Sequence, residues 1–241
     1  MRVLALDTTT RAGSVALVED DRIIVERSGD PARTHAERLP GEIVNLLDAA
    51  GVALSALDLF AVAAGPGSFT GLRIGIATMQ GLAFVNRRRI VAPSALEALA
   101  QEGSHGLGPG AVVAAWMDAH RRDVFSALYR LTAAPAFERD RLIEIDPPAA
   151  GDPASTLLRW TRRFDAPAVF IGDGAVLYAS AIGGRGRVMA PPALAATIGM
   201  MAIARARAGD TVDPAGAHPL YVRRPDAELA RDATKEKPHR T

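Results

Sequence analysis

The chain has 241 residues, 49% of them hydrophobic and 23% charged, with a formal net charge of +1. That length holds one large domain or two small lobes of ordinary globular composition. The near-neutral balance excludes a strong field drawing the chain to nucleic acid or membrane, and the lack of any Cys excludes disulfides, thiolate metal sites and Cys nucleophiles.

The first residues carry a short apolar run, Val3–Leu6, that meets Asp7, which is no signal-peptide pattern. No uninterrupted run reaches the ~18–20 apolar residues of a membrane helix. The expectation is a soluble cytoplasmic protein with no membrane contact. Val3–Leu6, Ser14–Val18 and Ile23–Val25 read as strands joined by the turns at Asp7–Thr10 and Glu19–Asp21. Thr34 and Glu37 have capping-box spacing. Leu39, Ile43, Leu46, Leu47 and Ala50 then trace one helical face, up to a natural stop at Gly51. Pro40 predicts a kink or a restart in that helix.

Leu59–Ala64 is a strand, followed by Gly65-Pro66-Gly67-Ser68. Gly65 and Gly67 supply turn angles, Pro66 pre-sets another, and Ser68 stands where a helix N-cap would. A helix then runs to about Val85. Gly71 and Gly75 lie on one of its faces, and each costs it roughly 1 kcal/mol relative to Ala, so another backbone approaches there. Tight packing, an anion site at a helix start and a face for a partner chain all fit this stretch. Arg87, Arg88 and Arg89 follow, either as cations at a helix C-terminus or as a patch facing RNA.

Ile90–Ala92 is a short strand, and a helix begins at Pro93. Four glycines in Gly103–Gly110 mark the lobe boundary. Ala111–Trp116 and Val124–Tyr129 are strands around the turn Asp118–Asp123. This repeats the start of the chain, with Asp118 in the place of Asp7, and reads as a faint internal duplication. Residues Thr132–Pro153 show little periodicity. Helices are predicted over Pro153–Phe164, after Gly172-Asp-Gly174, and over Ala193–Ala208, with a strand at Ala168–Ile171. The charged residues 225–241 read as a flexible tail.

Among the five His residues, His35, His105, His120, His218 and His239, no two have the i, i+4 spacing of a helical metal pair, so no metal site is expected. His35 reads as a polar surface or interface residue. Ser68 is not in a Gly-x-Ser-x-Gly elbow, and no catalytic residue stands out. Asp7 is either a turn residue bonding its own backbone or half of a phosphate site with the hydroxyls of Thr8, Thr9 and Thr10.

The eleven-residue run GPGSFTGLRIG, Gly65–Gly75, closely resembles the signature of the TsaB family, once called YeaZ, and the resemblance extends to about Arg224. It implies an α/β fold of two lobes, each a mixed sheet flanked by helices, of the actin-like ATPase (ribonuclease H-like) kind. Residues 1–104 would form the N-terminal lobe, 105–224 the C-terminal lobe, and His218–Arg224 the family's closing strand. It also implies a non-catalytic subunit that binds TsaD, with the ATPase TsaE, for transfer of threonylcarbamoyl to the N6 of adenosine beside the tRNA anticodon. The partner-binding residues would be Leu39, Ile43, Leu46 and Leu47 on the first helix, and Gly71, Leu72, Arg73, Gly75, Ile76 and Met79 on the second. A homodimer could use the same face when TsaD is missing, and tRNA would be met through the complex. No cofactor is implied. A vestigial nucleotide site at Asp7, Thr8, Thr9 and Asp118 leaves room for weak or partner-dependent ATP or ADP binding. The rival reading is a nucleotide-dependent enzyme of the same superfamily, such as a small-molecule kinase.

Overall fold

The computed structural model describes residues 1–161, 163 and 167–223; the tail predicted at 225–241 lies outside them. The elements that position the site are β1 (Arg2–Asp7), β2 (Ser14–Glu19), β3 (Arg22–Ser28), α1 (His35–Ala50), β4 (Leu59–Val62), α2 (Phe69–Val85), β5 (Arg89–Val91) and α3 (Ala95–Gly103). The second half supplies β6 (Val112–Asp118), β7 (Val124–Leu131), β8 (Leu142–Gly151), α4 (Pro153–Trp160), β9 (Ala168–Ile171), α5 (Asp173–Leu177), α6 (Ala179–Ile182), β10 (Gly186–Met189) and α7 (Ala195–Arg207).

Two five-stranded sheets result, ordered β3-β2-β1-β4-β5 and β10-β9-β6-β7-β8. In the first, β1 is antiparallel to β2 and parallel to β4; in the second, β6 is antiparallel to β7 and parallel to β9. The two sheets therefore share one topology, and β1 and β6 occupy its equivalent central position. Alternation along each central strand sorts side chains to two buried faces. Leu4 and Leu6 join the core beneath α1 and α2, while Val3 and Ala5 face the core between the sheets. On β6, Val113, Ala115 and Met117 face that same middle core, and Ala114 and Trp116 face the third one, under α4–α6.

The middle layer is built by exchange. α3 packs on β6 and β9 of the second sheet, whereas α7 packs on β1 and β2 of the first. Ser14 Oγ and Glu26 Oε1 accept the N–H groups of Ala195 and Ala196 at 3.0 and 2.8 Å, capping the start of α7 from the first sheet. Beyond α7, Ile90 and Val212 exchange backbone bonds of 3.0 and 2.9 Å. The break near residue 104 thus separates the sheets but not the helices.

α1 runs as one helix through Pro40, so of the two expectations there the restart is excluded. β8 lies where periodicity is weak, and β10 in a stretch for which no element is expected. β8 holds Pro147 and Pro148 at a sheet edge, where a missing N–H breaks no ladder. Residues 218–223 form no strand.

Candidate functional site

The site lies where the two central strands end. Asp7 accepts from the Thr9 backbone N–H at 2.8 Å and from the Thr9 hydroxyl at 2.7 Å. Asp118 accepts from the His120 backbone N–H at 2.9 Å. Each central strand thus ends in an aspartate that folds back on the residue two positions on, the Asx-type turn of such side chains. The duplication suspected in the sequence extends to this bond. Asp7 is buried, and that burial pushes its carboxyl above the ordinary Asp range, against the hydrogen bonds from Thr9.

The start of α2 sits directly on the first turn. Ser68 N–H donates to Thr9 O at 2.8 Å, and Ser68 Oγ accepts from Gly71 N–H at 3.2 Å. The glycines exist for this contact. A Cβ on Gly67 would lie 2.6 Å from Thr9 O, one on Gly71 would overlap Thr8 O, and one on Gly75 would overlap Thr8 Oγ1. Gly71 and Gly75 therefore admit this chain's own loop rather than a partner's helix. The same approach buries Thr8 against α2, its hydroxyl without a hydrogen-bond partner among the described residues, while Thr9 bonds Asp7. Thr10 lines the cleft and accepts from Gly13 N–H at 3.2 Å.

α1 ties down the rest of that loop. Arg38 donates to the Arg11 carbonyl at 3.1 Å, to the Ala12 carbonyl, and to His35 Nδ1 at 2.7 Å. With Nδ1 accepting, Nε2 carries the proton and donates to Thr10 O at 2.9 Å. Burial lowers the His35 pKa, in keeping with this neutral tautomer. His35 is buried, not a surface residue. Arg38, whose carbonyl partners lie more than twenty residues away, escaped the sequence reading altogether.

The second lobe repeats the plan with a shorter helix. Gly172 has φ +125°, and its missing Cβ leaves room for the Trp116 carbonyl; a Cβ on Gly174 would lie 2.7 Å from the Met117 carbonyl carbon. Asp173 accepts from Asp118 N–H at 3.0 Å and Gly174 N–H at 2.8 Å. Between the lobes lies a cleft of about 590 Å³, bordered by Thr10, Arg11, Ser68, Asp118, His120 and Arg223. A smaller cavity of about 310 Å³ reaches Asp7 and Asp173. Among the described residues, no group of three or more His, Asp and Glu could hold a metal ion.

The predicted docking residues divide. Leu39, Ile43, Leu46, Leu47, Ile76 and Met79 are buried in the core beneath α1 and α2, and Leu72 is buried beside Gly65 at the wall of the cleft. The reason is periodicity: the regular stripe of a helix is the one its own sheet takes. Arg73 is exposed, lies 4.0 Å over the Phe69 ring and donates to Tyr221 Oη at 3.0 Å. The solvent side of the α1–α2 layer carries Val44, Phe84 and Val85, exposed by 54, 76 and 78%. It also carries Gly41 and Gly81, around whose missing Cβ atoms nothing lies within 4 Å. Arg89, one of the three consecutive arginines, is taken up by Asp213 and by Thr211 O at 2.9 Å.

Two sheets of identical strand order, joined by exchanged helices around a cleft, define a two-lobed α/β protein of the actin-like (ribonuclease H-like) fold. A family model described as "TsaD: tRNA N6-adenosine threonylcarbamoyltransferase" matches residues 29–146. The chain is 38% identical over 130 residues to the tRNA threonylcarbamoyladenosine biosynthesis protein TsaB of Escherichia coli, covering 54% of this chain and 55% of that one. It is 30% identical over 178 residues to the Bacillus subtilis protein of the same name, covering 74% and 73%. The solved structure described as "YeaZ from Pseudomonas aeruginosa" superposes with a TM-score of 0.76 and 33% identity, covering 91% of this chain and 99% of that one. The chain belongs to the TsaB (YeaZ) family. Its match spans about half of the E. coli relative and nearly three quarters of the B. subtilis one.

Proposed function

We propose that the chain is a non-catalytic subunit of the machinery that makes threonylcarbamoyl-adenosine in tRNA. It docks TsaD through the outer faces of α1 and α2 and, with TsaE, holds it in the form that modifies tRNA. The observation that carries this reading is the pair Gly41 and Gly81. Glycine inside a helix costs about 1 kcal/mol relative to Ala, and nothing within this chain needs either one. They sit beside Val44, Phe84 and Val85, so a partner's helices could approach closely onto apolar side chains. A face of two helices suffices for a standard interface of about 800 Å² per partner. The same face serves a homodimer when TsaD is missing, and tRNA is met through the complex.

The cleft supports the non-catalytic part. Asp7 is buried and spends its carboxylate on Thr9, and Thr8 is buried beneath α2. In this reading the chain needs no cofactor of its own, and ATP or ADP binds weakly or with the partner in place.

The test is reconstitution with TsaD, TsaE, tRNA and the threonylcarbamoyl donor, scoring complex size and modified adenosine. Gly81→Leu and Gly41→Leu should fold normally, since the space is open, yet fail to co-elute with TsaD. Asp7→Asn should assemble and support modification. If both Leu variants bind TsaD as wild type does, the docking face is elsewhere. If Asp7→Asn assembles but modification collapses, the rival nucleotide-dependent enzyme takes over.

A further inference from the structure

The segment that follows α7 crosses from one lobe to the other at the mouth of the cleft. Its first half is fixed to the N-terminal lobe. Gln80 Nε2 on α2 donates to Ala217 O at 3.1 Å, and Leu220 N–H donates to Ala64 O at 2.7 Å, just past the end of β4. The Tyr221 ring lies 5.2 Å from that of Phe69, with its hydroxyl held by Arg73 at 3.0 Å. Two residues on, Arg223 grips the other lobe. Its guanidinium donates to Ala119 O at 2.7 Å and to Asp123 Oδ2 at 3.2 Å, and stands 5.6 Å over the Phe125 ring. Residues 220–223 all border the cleft.

The anchor that Arg223 holds is an unusual turn. His120, Arg121 and Arg122 are consecutive non-glycine residues with φ of +57°, +54° and +69°, a left-handed run that L-residues adopt only at a cost. The turn is kept by the Asp118 cap, by Asp123 N–H donating to His120 O at 2.9 Å and by Ala119 N–H donating to Asp123 O at 3.1 Å. Arg223 binds both Ala119 and Asp123, the two residues that bracket the run.

We propose that residues 217–223 form an interlobe strap: they hold the lobes closed over the cleft, and the grip of Arg223 on the Ala119–Asp123 turn is its latch. The inference is independent of which partner α2 meets. With Arg223 unlatched, Tyr221 and Leu220 stay with the first lobe and the second lobe swings away.

The lack of Cys allows a direct test in the full chain. Thr70→Cys and Val176→Cys place one exposed spin label on each lobe. Arg223→Ala, and separately Asp123→Ala, which removes the acidic partner, should lengthen and broaden the label-to-label distance by more than about 2 Å, the scale of a genuine domain rearrangement. Arg223→Lys should shift it less, and Arg187→Ala, an exposed arginine outside the strap, not at all. Circular dichroism confirms folding of each variant, and Asp123→Ala serves if Arg223→Ala fails to fold. Distance distributions unchanged by loss of the latch from either side would overturn the strap.

Discussion

Both central strands end in an aspartate whose carboxylate accepts the N–H two residues on, but the neighbouring helices treat those turns differently. In the first lobe a seventeen-residue helix presses its glycine face onto Thr8, and just before it Gly67 packs on Thr9 while Ser68 N–H donates to the Thr9 carbonyl. In the second lobe a five-residue helix stops short, and its first side chain, Asp173, receives Asp118 N–H instead. The first turn is thereby covered by α2, with Asp7 buried and met only by the smaller cavity. The second stays open, with Asp118 partly exposed and a run of arginines at its edge. One topology thus yields a covered turn beneath a long helix free to display its outer side, and an open turn for the strap to hold.

The largest effect tests whether each lobe depends on its glycine contact. Gly172→Ala adds a Cβ where the Trp116 carbonyl sits, at a φ that L-residues rarely adopt. A cost of about 4 kcal/mol or more is expected, enough to deplete folded protein given the marginal stability of most domains. Gly71→Ala in the first lobe should cost about 3 kcal/mol by overpacking against the Thr8 carbonyl. Urea unfolding measures both. If Gly71→Ala is neutral, the first turn is not covered by backbone contact and the comparison between lobes fails.

Next comes a double-mutant cycle. Gly75→Ala meets the Thr8 side chain rather than backbone, so it should cost about 2 kcal/mol alone and distinctly less beside Thr8→Ala, since residues in contact couple. Additive costs would place the clash elsewhere. The same geometry makes a bulky residue at Gly75 a probe of folding, not of docking.

These glycines show how far the sequence could be read. Gly-Pro-Gly-Ser announced a strand, a turn and a capped helix, and Thr34 with Glu37 announced α1; both caps form. Such signals are local, carried by backbone angle and short-range bonding. Which side of α2 its glycines faced was not local. That helix carries apolar residues well around its circumference, so Leu72, Ile76 and Met79 resembled a docking stripe as much as a core one. The decisive fact, Thr8 lying beneath Gly71 and Gly75, joins segments more than sixty residues apart. Arg38 and the strap were hidden for the same reason, since their partners are distant carbonyls and rings. β8 was hidden by its prolines and charges, which an edge strand tolerates.

A smaller effect follows from the burial of Asp7. Burial raises its folded-state pKa, so its contribution to stability is fullest below the unfolded value and declines as pH rises through the folded one. Asp7→Asn keeps an oxygen to accept from Thr9 and removes the buried charge. Its melting temperature should exceed wild type at neutral pH, and the gap should close on acidification as wild-type Asp7 takes up its proton. A gap that is constant with pH would mean that Asp7 does not titrate against folding in this range, and that the first turn is more open than its burial indicates.

The smallest expected effect is the one most specific to the long helix of the first lobe. Gly81 lies on the exposed side of α2 with open space around its missing Cβ. Gly81→Ala should therefore stabilise the isolated chain by roughly 0.5–1 kcal/mol, by restricting the unfolded state and improving helix propensity. That is the reverse of Gly71→Ala, ten residues earlier on the same helix. Opposite signs on its two faces would separate glycines that serve the fold from a glycine that does not. A stabilising substitution that natural sequence has not taken calls for a use outside the monomer, so Gly81→Ala should also weaken TsaD binding measured by titration. If it instead stabilises the chain and leaves binding untouched, Gly81 is an unneeded cost, and the outer face of α2 loses its best argument as a docking surface.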